Sequence, residues 1–185
     1  MSDLLLETER LFLRPPAQED ASAHAELMAD PLTAQFLTFD GKPQDRMIAW
    51  RTWATLSGHW NFRGFGFFSM IDKETGRWAG RAGPWYPEGW PQIEIGWGVH
   101  PDFRGRGLAL EAAIATAGWT FRTQGLDEII SLIRPENAQS RRVAEKFGET
   151  HVRDTILIGR PAQIWSLTNA DYVRLWGGRT QALRL

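Results

Sequence analysis

Ile93-Glu94-Ile95-Gly96-Trp97-Gly98-Val99-His100-Pro101-Asp102-Phe103-Arg104-Gly105-Arg106-Gly107-Leu108-Ala109 is the stretch on which the fold turns. From 93 to 99 the residues alternate strictly, with Ile93, Ile95, Trp97 and Val99 on one side, the period of a half-buried strand. Gly96 and Gly98 leave the other side bare, as happens where a strand bulges or another group approaches its backbone. Past Gly107 the period changes: Leu110, Ala113, Ile114, Ala117 and Phe121 recur at three and four, and Gly125 ends the helix they define. Between the two lies Arg104-Gly105-Arg106-Gly107. A helix start carries unpaired N–H groups and the positive end of the peptide dipole. Two glycines remove the Cβ atoms that would keep an anion off those amides, and two guanidinium groups add forked donors. The turn reads as a phosphate cradle between a strand and a helix.

Glu128 to Arg134 is a β-rich run stopped by Pro135, so 93–134 forms a strand–loop–helix–strand unit, expected to be parallel and right-handed. Upstream, Leu11-Phe12-Leu13-Arg14 reads as a first strand ended by Pro15-Pro16. Glu19 to Ala29 reads as a helix closed by Pro31, and a second helix runs from about Asp45 to Leu56 with Met47, Trp50, Trp53 and Leu56 as its apolar face. Gly66–Ile71 and Arg77–Gly83 flank a turn at 72–76 and predict a hairpin. Pro84 to Pro91 reads as a loop. Asn137 caps a short helix over Ala138–Phe147, stopped by Gly148, and Ile156–Ile158 with Gln163–Leu167 predict a closing strand pair. The expectation is an α/β protein, one domain over 1–185 with a mixed sheet and interleaved helices, its last residues (178–185) frayed.

Composition removes several chemistries. With no cysteine there are no disulfides, thiolate metal sites or cysteine nucleophiles, and His24, His59, His100 and His151 are too far apart in sequence to suggest a metal site. A net charge of −1 gives no global attraction to nucleic acid or to a membrane surface. No window approaches the ~18 uninterrupted apolar residues of a membrane span. The start of the chain has no basic segment ahead of an apolar one, so the expected location is cytoplasmic. A Rossmann fingerprint would need a third glycine where Leu110 stands and an acid near Arg134, and a P-loop would need Gly-Lys-Ser/Thr. Both are disfavoured, although a phosphate-loop nucleotide binder remains an outside reading.

Arg104-x-x-Gly107-x-Ala109 resembles the Arg/Gln-x-x-Gly-x-Gly/Ala signature of GNAT-superfamily acetyltransferases. Thr8–Pro15 is similar to the opening strand of the subfamily that acetylates ribosomal-protein N-termini. Arg63–Phe68 with Lys73–Gly80 resembles its central hairpin, Ile93–Trp97 its fourth strand, and Asn137-Ala138-Gln139-Ser140 its Asn-x-x-Ser helix start. The resemblance implies the acyl-CoA N-acyltransferase fold: about seven strands, helices on both faces, and a splay between strands four and five that receives the pantetheine arm. It implies acetyl-CoA as cosubstrate and an amine acceptor, and allows a monomer or a homodimer. It maps pantetheine onto the backbone of Trp97, Gly98 and Val99, the pyrophosphate onto Arg104, Gly105, Arg106, Gly107, Leu108 and Ala109, and the thioester end onto Asn137 and Ser140. Asn137 is equally a competent N-cap with no cofactor role.

Direct acetyl transfer needs a deprotonated amine, a polarised carbonyl and a proton for the departing thiolate. At pH 7 an α-amine of pKa ~8 costs about 1.4 kcal/mol to deprotonate, and a lysine of ~10.4 about 4.6 kcal/mol. Glu94, beside the expected splay, is the leading base candidate; the other reading is a solvated residue on an alternating strand. Where many members of the family place a tyrosine acid, seven residues beyond the asparagine, this chain has Ala144, which leaves Ser140 as the substitute. Trp85-Tyr86-Pro87-Glu88-Gly89-Trp90 reads either as a wall of the acceptor site, with Glu88 attracting a cationic amine, or as a lid over the core. Two functions follow: an acetyl-CoA-dependent N-acetyltransferase acting on a protein N-terminal or small-molecule primary amine, or a non-catalytic acyl-CoA sensor, which the missing tyrosine favours.

Overall fold

The computed structural model describes residues 4–177 and the backbone of 183–184. In chain order these form β1 (Leu5–Glu7), β2 (Leu11–Arg14), α1 (Ala21–Ala29), α2 (Pro31–Leu37), α3 (Arg46–Arg63), β3 (Phe68–Asp72), β4 (Trp78–Trp85), β5 (Glu94–Val99), α4 (Leu108–Gln124), β6 (Glu128–Ile133), α5 (Ala138–Phe147), β7 (Thr150–Leu157), β8 (Arg160–Thr168), α6 (Asn169–Trp176) and β9 (Leu183–Arg184). One sheet takes the order β7-β8-β6-β5-β4-β3-β2-β1-β9, nine strands where about seven were expected. Every neighbouring pair is antiparallel except β5–β6, which is parallel with α4 as its crossover. Of the tail expected to fray, Leu183–Arg184 pair with β1, and 178–182 and 185 lie outside the described residues.

The sheet is covered on both faces because its strands are apolar on both. Leu11, Leu13, Phe68, Met70 and Ala82 pack under Leu108, Ala112, Ala115 and Trp119 of α4. On the opposite face Phe67 and Trp78 meet Leu27 of α1 and Trp53 and Leu56 of α3. Each such large side chain contributes about 1.5–3 kcal/mol of burial.

Three local expectations need correction. Pro31 does not merely close α1; it opens α2, at whose start the Asp30 carboxylate accepts from Thr33 N (2.8 Å), an N-cap with proline at the first helical position. The second helix continues seven residues past Leu56 to Arg63 and ends at Gly64 (φ 75°). It buries Ala49, Trp53, Leu56 and His59, and leaves Met47 and Trp50 59% and 58% exposed. The closing strand pair starts at Thr150 rather than 156, and its two-residue turn is Ile158-Gly159, both at positive φ, as a hairpin of this handedness requires.

Candidate active site

The turn from 104 to 110 presents main-chain donors. Gly105 and Gly107 sit at φ 75° and 77°, a region glycine enters without the strain other residues pay. A Cβ on Gly105 would meet no protein atom within 4 Å, so the space beside this turn is open. The first bond of α4 runs from Glu111 N to Gly107 O, and among the described residues no protein group accepts from the amides of Gly105, Arg106, Gly107, Leu108, Ala109 and Leu110. The Leu108 side chain is buried in the core, which fixes the direction of its amide. Arg10, in the β1–β2 turn, donates to Arg106 O (2.6 Å) and to Glu111 (2.7 Å), clamping the turn from behind. The sequence reading missed this residue.

The two guanidinium groups expected at the pyrophosphate are also held by protein carboxylates. Arg104 binds the Asp30 carboxylate and Thr33 Oγ1, and Arg106 lies 3.1 Å from Asp72 Oδ1 and 3.5 Å from Glu74. Both are about one-third exposed and engaged in ion pairs, so the uncommitted phosphate donors are the amides. Burial raises the Asp30 pKa, but hydrogen bonds from Arg104 and Thr33 outweigh it and hold the carboxyl below its ordinary value. Arg104 thus ties the cradle to the start of α2.

Beside the cradle the sheet opens. β5 and β6 pair at one position, Glu94↔Ile130, through Ile130 N to Ile93 O (3.2 Å), after which only the Ser131 hydroxyl reaches across, to Ile95 O (2.7 Å). His100 N donates to Ala79 O, so by strand alternation the amides and carbonyls of even-numbered residues face β4 and those of Trp97 and Val99 face the gap. Gly98 therefore spends its main chain on β4, and what it offers the site is a missing Cβ: one built there would lie 3.0 Å from Leu37 Cδ1.

The gap leads into a pocket of about 340 Å3 on the α1–α3 side of the sheet, walled in part by Phe36, Leu37, Trp85, Trp90, Asn137 and Ser140. Arg81, Gly83 and Trp85 of β4 stand opposite Gly98, Gly96 and Glu94 of β5, so a charged residue lies at each end of a floor bared by glycines. Glu94 Oε2 accepts from Trp90 Nε1 (2.6 Å), and its Oε1 leans over Gly96, 2.9 Å from where a Cβ would sit. Burial raises its pKa to about 7, against the opposing pull of the Trp90 hydrogen bond and the charges of Arg81 and Arg134. Its remaining exposure is toward the pocket. Of the aromatic loop, Trp85 and Trp90 line this pocket; Glu88 is fully exposed, 3.9 Å from Arg63, and does not reach it.

Asn137 caps α5, accepting from Ser140 N (3.0 Å), and the Ser140 side chain lines the pocket. Ala144 is buried against Ile133 and Trp165. Neither tyrosine lines the pocket; Tyr172 donates to Ile114 O from beneath α4. Below the gap the buried Ser131 hydroxyl lies 2.7 Å from both Ile95 O and Glu149 Oε1. One hydroxyl proton cannot serve two acceptors. The Glu149 carboxyl must supply the second, which agrees with burial, reinforced by the Glu94 charge, raising its pKa to about 8.

Known proteins resemble this chain in sequence and fold. A family model described as an acetyltransferase (GNAT) domain matches residues 10–150. The uncharacterized Bacillus subtilis (strain 168) protein YkkB is 33% identical over 156 residues, 82% of this chain and 87% of its own. A crystal structure of an acetyltransferase from Agrobacterium tumefaciens str. C58 superposes with a TM-score of 0.80 at 32% identity, covering 91% of this chain and 96% of that one. The ribosomal L7/L12 α-N-protein acetyltransferase RimL, solved in complex with coenzyme A, shares the fold at 15% identity (TM-score 0.73; 90% and 98% covered). Among the described residues no group of His, Cys, Asp or Glu is placed to hold a metal, and no helix is long and apolar enough to cross a membrane.

Proposed function

The chain belongs to the GNAT acetyltransferases, acetyl-CoA-dependent N-acyltransferases, and from that premise we propose that it acetylates a primary amine by direct attack in a ternary complex, with Glu94 as the base. The cosubstrate fits: the unpaired amides of 105–110 suit its pyrophosphate, and the free main chain of Trp97 and Val99 suits the amides of its pantetheine arm. When bound it supplies an acetyl thioester. The residues of the chain do the rest. The Arg104–Asp30 and Arg10–Glu111 pairs hold the cradle in shape. Trp85, Trp90 and Leu37 wall off water, and the Glu94 carboxylate takes the proton that an ammonium must shed before its nitrogen can attack. In the balanced reaction the nitrogen bonds the acetyl carbon, the C–S bond breaks, and the sulfur leaves with the electron pair. Of the two protons lost by the ammonium, one goes to Glu94 and on to solvent and the other ends on the thiol. We assign that second transfer to Ser140, which lines the pocket at the start of α5. The cytoplasm remains our proposed location.

The single observation that carries this reading is the gap: a parallel strand pair bonded at one position, opening beside free amides on one side and a carboxylate of raised pKa on the other. Acetyl-CoA incubated with an amine, amino-acid and peptide panel, with free thiol followed over time, tests it. Acceptor-dependent thiol release is the expected result. Tight coenzyme A binding with no such release for any acceptor would leave the sensor reading in its place.

A further inference from the structure

Arg81 is a buried charge without a partner. Its residue is 8% exposed, its Nε is sealed from solvent with nothing to donate to, and no carboxylate lies within 4.0 Å of its guanidinium among the described residues. Its one close neighbour is the face of Phe67, with the guanidinium carbon 4.1 Å from the ring centroid. A buried cation is normally paired, because the cost of removing it from water must be met by some opposite charge. The pocket supplies none nearer than Glu94. The other charged or titratable groups lining it are Arg134 and His24. Arg134 turns its Nη1 to the carbonyls of Leu157, Arg160 and Pro161, at the far rim of the β7–β8 turn. His24 is neutral: the Thr52 hydroxyl gives its proton to Ala49 O, so His24 Nε2 must be the donor to Thr52 Oγ1, and its buried Nδ1 is left as a bare acceptor.

Arg81 and Glu94 share one face across the glycine floor. Glu94 Oε1 and the edge of the Phe67 ring lie 2.9 and 3.0 Å from the same empty Cβ position on Gly96, and Arg81 stacks on that ring. The Phe67 ring lies over Gly96 between them, and the pocket above it is bounded by opposite charges. We propose that the acceptor is a free amino acid, its amine held at Glu94 and its carboxylate at Arg81; this rests on the acetyltransfer reading of the same pocket. An amine and a carboxylate joined through one carbon, with a charge-assisted hydrogen bond of roughly 2.8 Å at each end, bridge two protein groups that are close but not in contact. A peptide N-terminus meets the same chemistry only when its first residue carries a carboxylate.

The test compares, for each side chain in a panel, the free amino acid, its C-terminal amide, its decarboxylated amine, and peptides beginning with Asp or Glu. Wild type is expected to favour the free amino acid by about tenfold or more in kcat/KM over the amide and the amine, the discrimination a charge-assisted pair supplies. Arg81→Gln should reduce that ratio to near unity through KM for the amino acid, and Arg81→Lys should restore part of it. Coenzyme A affinity, unchanged within about twofold in both variants, reports that they fold. A second readout needs no turnover: amino acids should quench the fluorescence of Trp85 and Trp90 in the complex with coenzyme A, and this should be lost in Arg81→Gln. Equal turnover of amino acid, amide and amine by wild type would overturn the assignment while leaving acetyltransfer intact. An equal fall for all acceptors in Arg81→Gln would overturn it too, and a preference for the acidic peptides would move the carboxylate to a peptide. Failure of every amine to release thiol sinks the underlying reading instead.

Discussion

Replacing Glu94 by Gln keeps the shape and the partner Trp90 but removes the proton acceptor. An α-amine of pKa ~8 handing its proton to a carboxylate of ordinary pKa, 4.5, moves uphill by about 3.5 pKa units, close to 5 kcal/mol. Burial lifts Glu94 to about 7, and the same transfer then costs about 1.4 kcal/mol. The pocket therefore makes the base more effective by about 3 kcal/mol, within the 10²–10⁴-fold range of general-base catalysis. The sign follows from which form works: Glu94 must be ionised, so activity falls as pH drops through about 7. The assay is kcat/KM against pH from 5.5 to 9 with an acceptor of amine pKa near ~8. Wild type should show a slope of +1 in log kcat/KM below pH 7, from Glu94, and level off between about pH 7 and 8, because the ammonium hands its proton to the ionised carboxylate. Glu94→Gln should lose about a hundredfold or more at pH 8 and show a slope of +1 that continues past pH 7 to the amine pKa near ~8, with coenzyme A affinity unchanged. A variant whose profile still levels off near pH 7 would refute the base assignment.

A Cβ on Gly96 would sit 2.9 Å from Glu94 Oε1, so Gly96→Ala should push the flexible carboxylate off its position and lower kcat by about tenfold or more with KM for acetyl-CoA unchanged; steady-state kinetics in both substrates check this. Gly107→Ala forces a side-chain-bearing residue into the left-handed region at a cost of about 1–2 kcal/mol and should weaken coenzyme A about tenfold, read by titration of tryptophan fluorescence. Glu149 has a folded pKa near 8, above its ordinary value, so its contribution to stability is whole below pH ~4.5 and is lost as pH rises through 8, about 3 kcal/mol by pH 7. Glu149→Gln, which donates to Ser131 as the protonated acid does, should flatten that decline; urea unfolding at pH 5 and pH 8 should show the variant gaining relative stability only at the higher pH.

Much of this molecule is written locally. The alternation of 93–99, the three-and-four spacing of 110–121, the asparagine cap at 137 and the terminal glycines at 125 and 148 each fix an element through neighbours within a few residues, and all of them stand in the structure. The errors fell where local signals were ambiguous. Asp30-Pro31 both ends one helix and starts another, and the exposed Met47 and Trp50 imitate an apolar face that the buried Ala49 actually belongs to.

The site divides along the same line. The sequence determined a glycine turn at a helix start and a glutamate at the end of an alternating strand, because helix termini and strand periodicity are properties of contiguous backbone. It could not determine that Arg104 answers to Asp30, that Arg81 lies across a row of glycines from Glu94, or that Ser131, Ile95 and Glu149 are linked by two protons, one from the hydroxyl and one from the carboxyl. Those depend on register between strands and on which elements close over one another. Only the tertiary structure decides them, because the burial that raises one carboxyl and strands one guanidinium is created by residues tens of positions away.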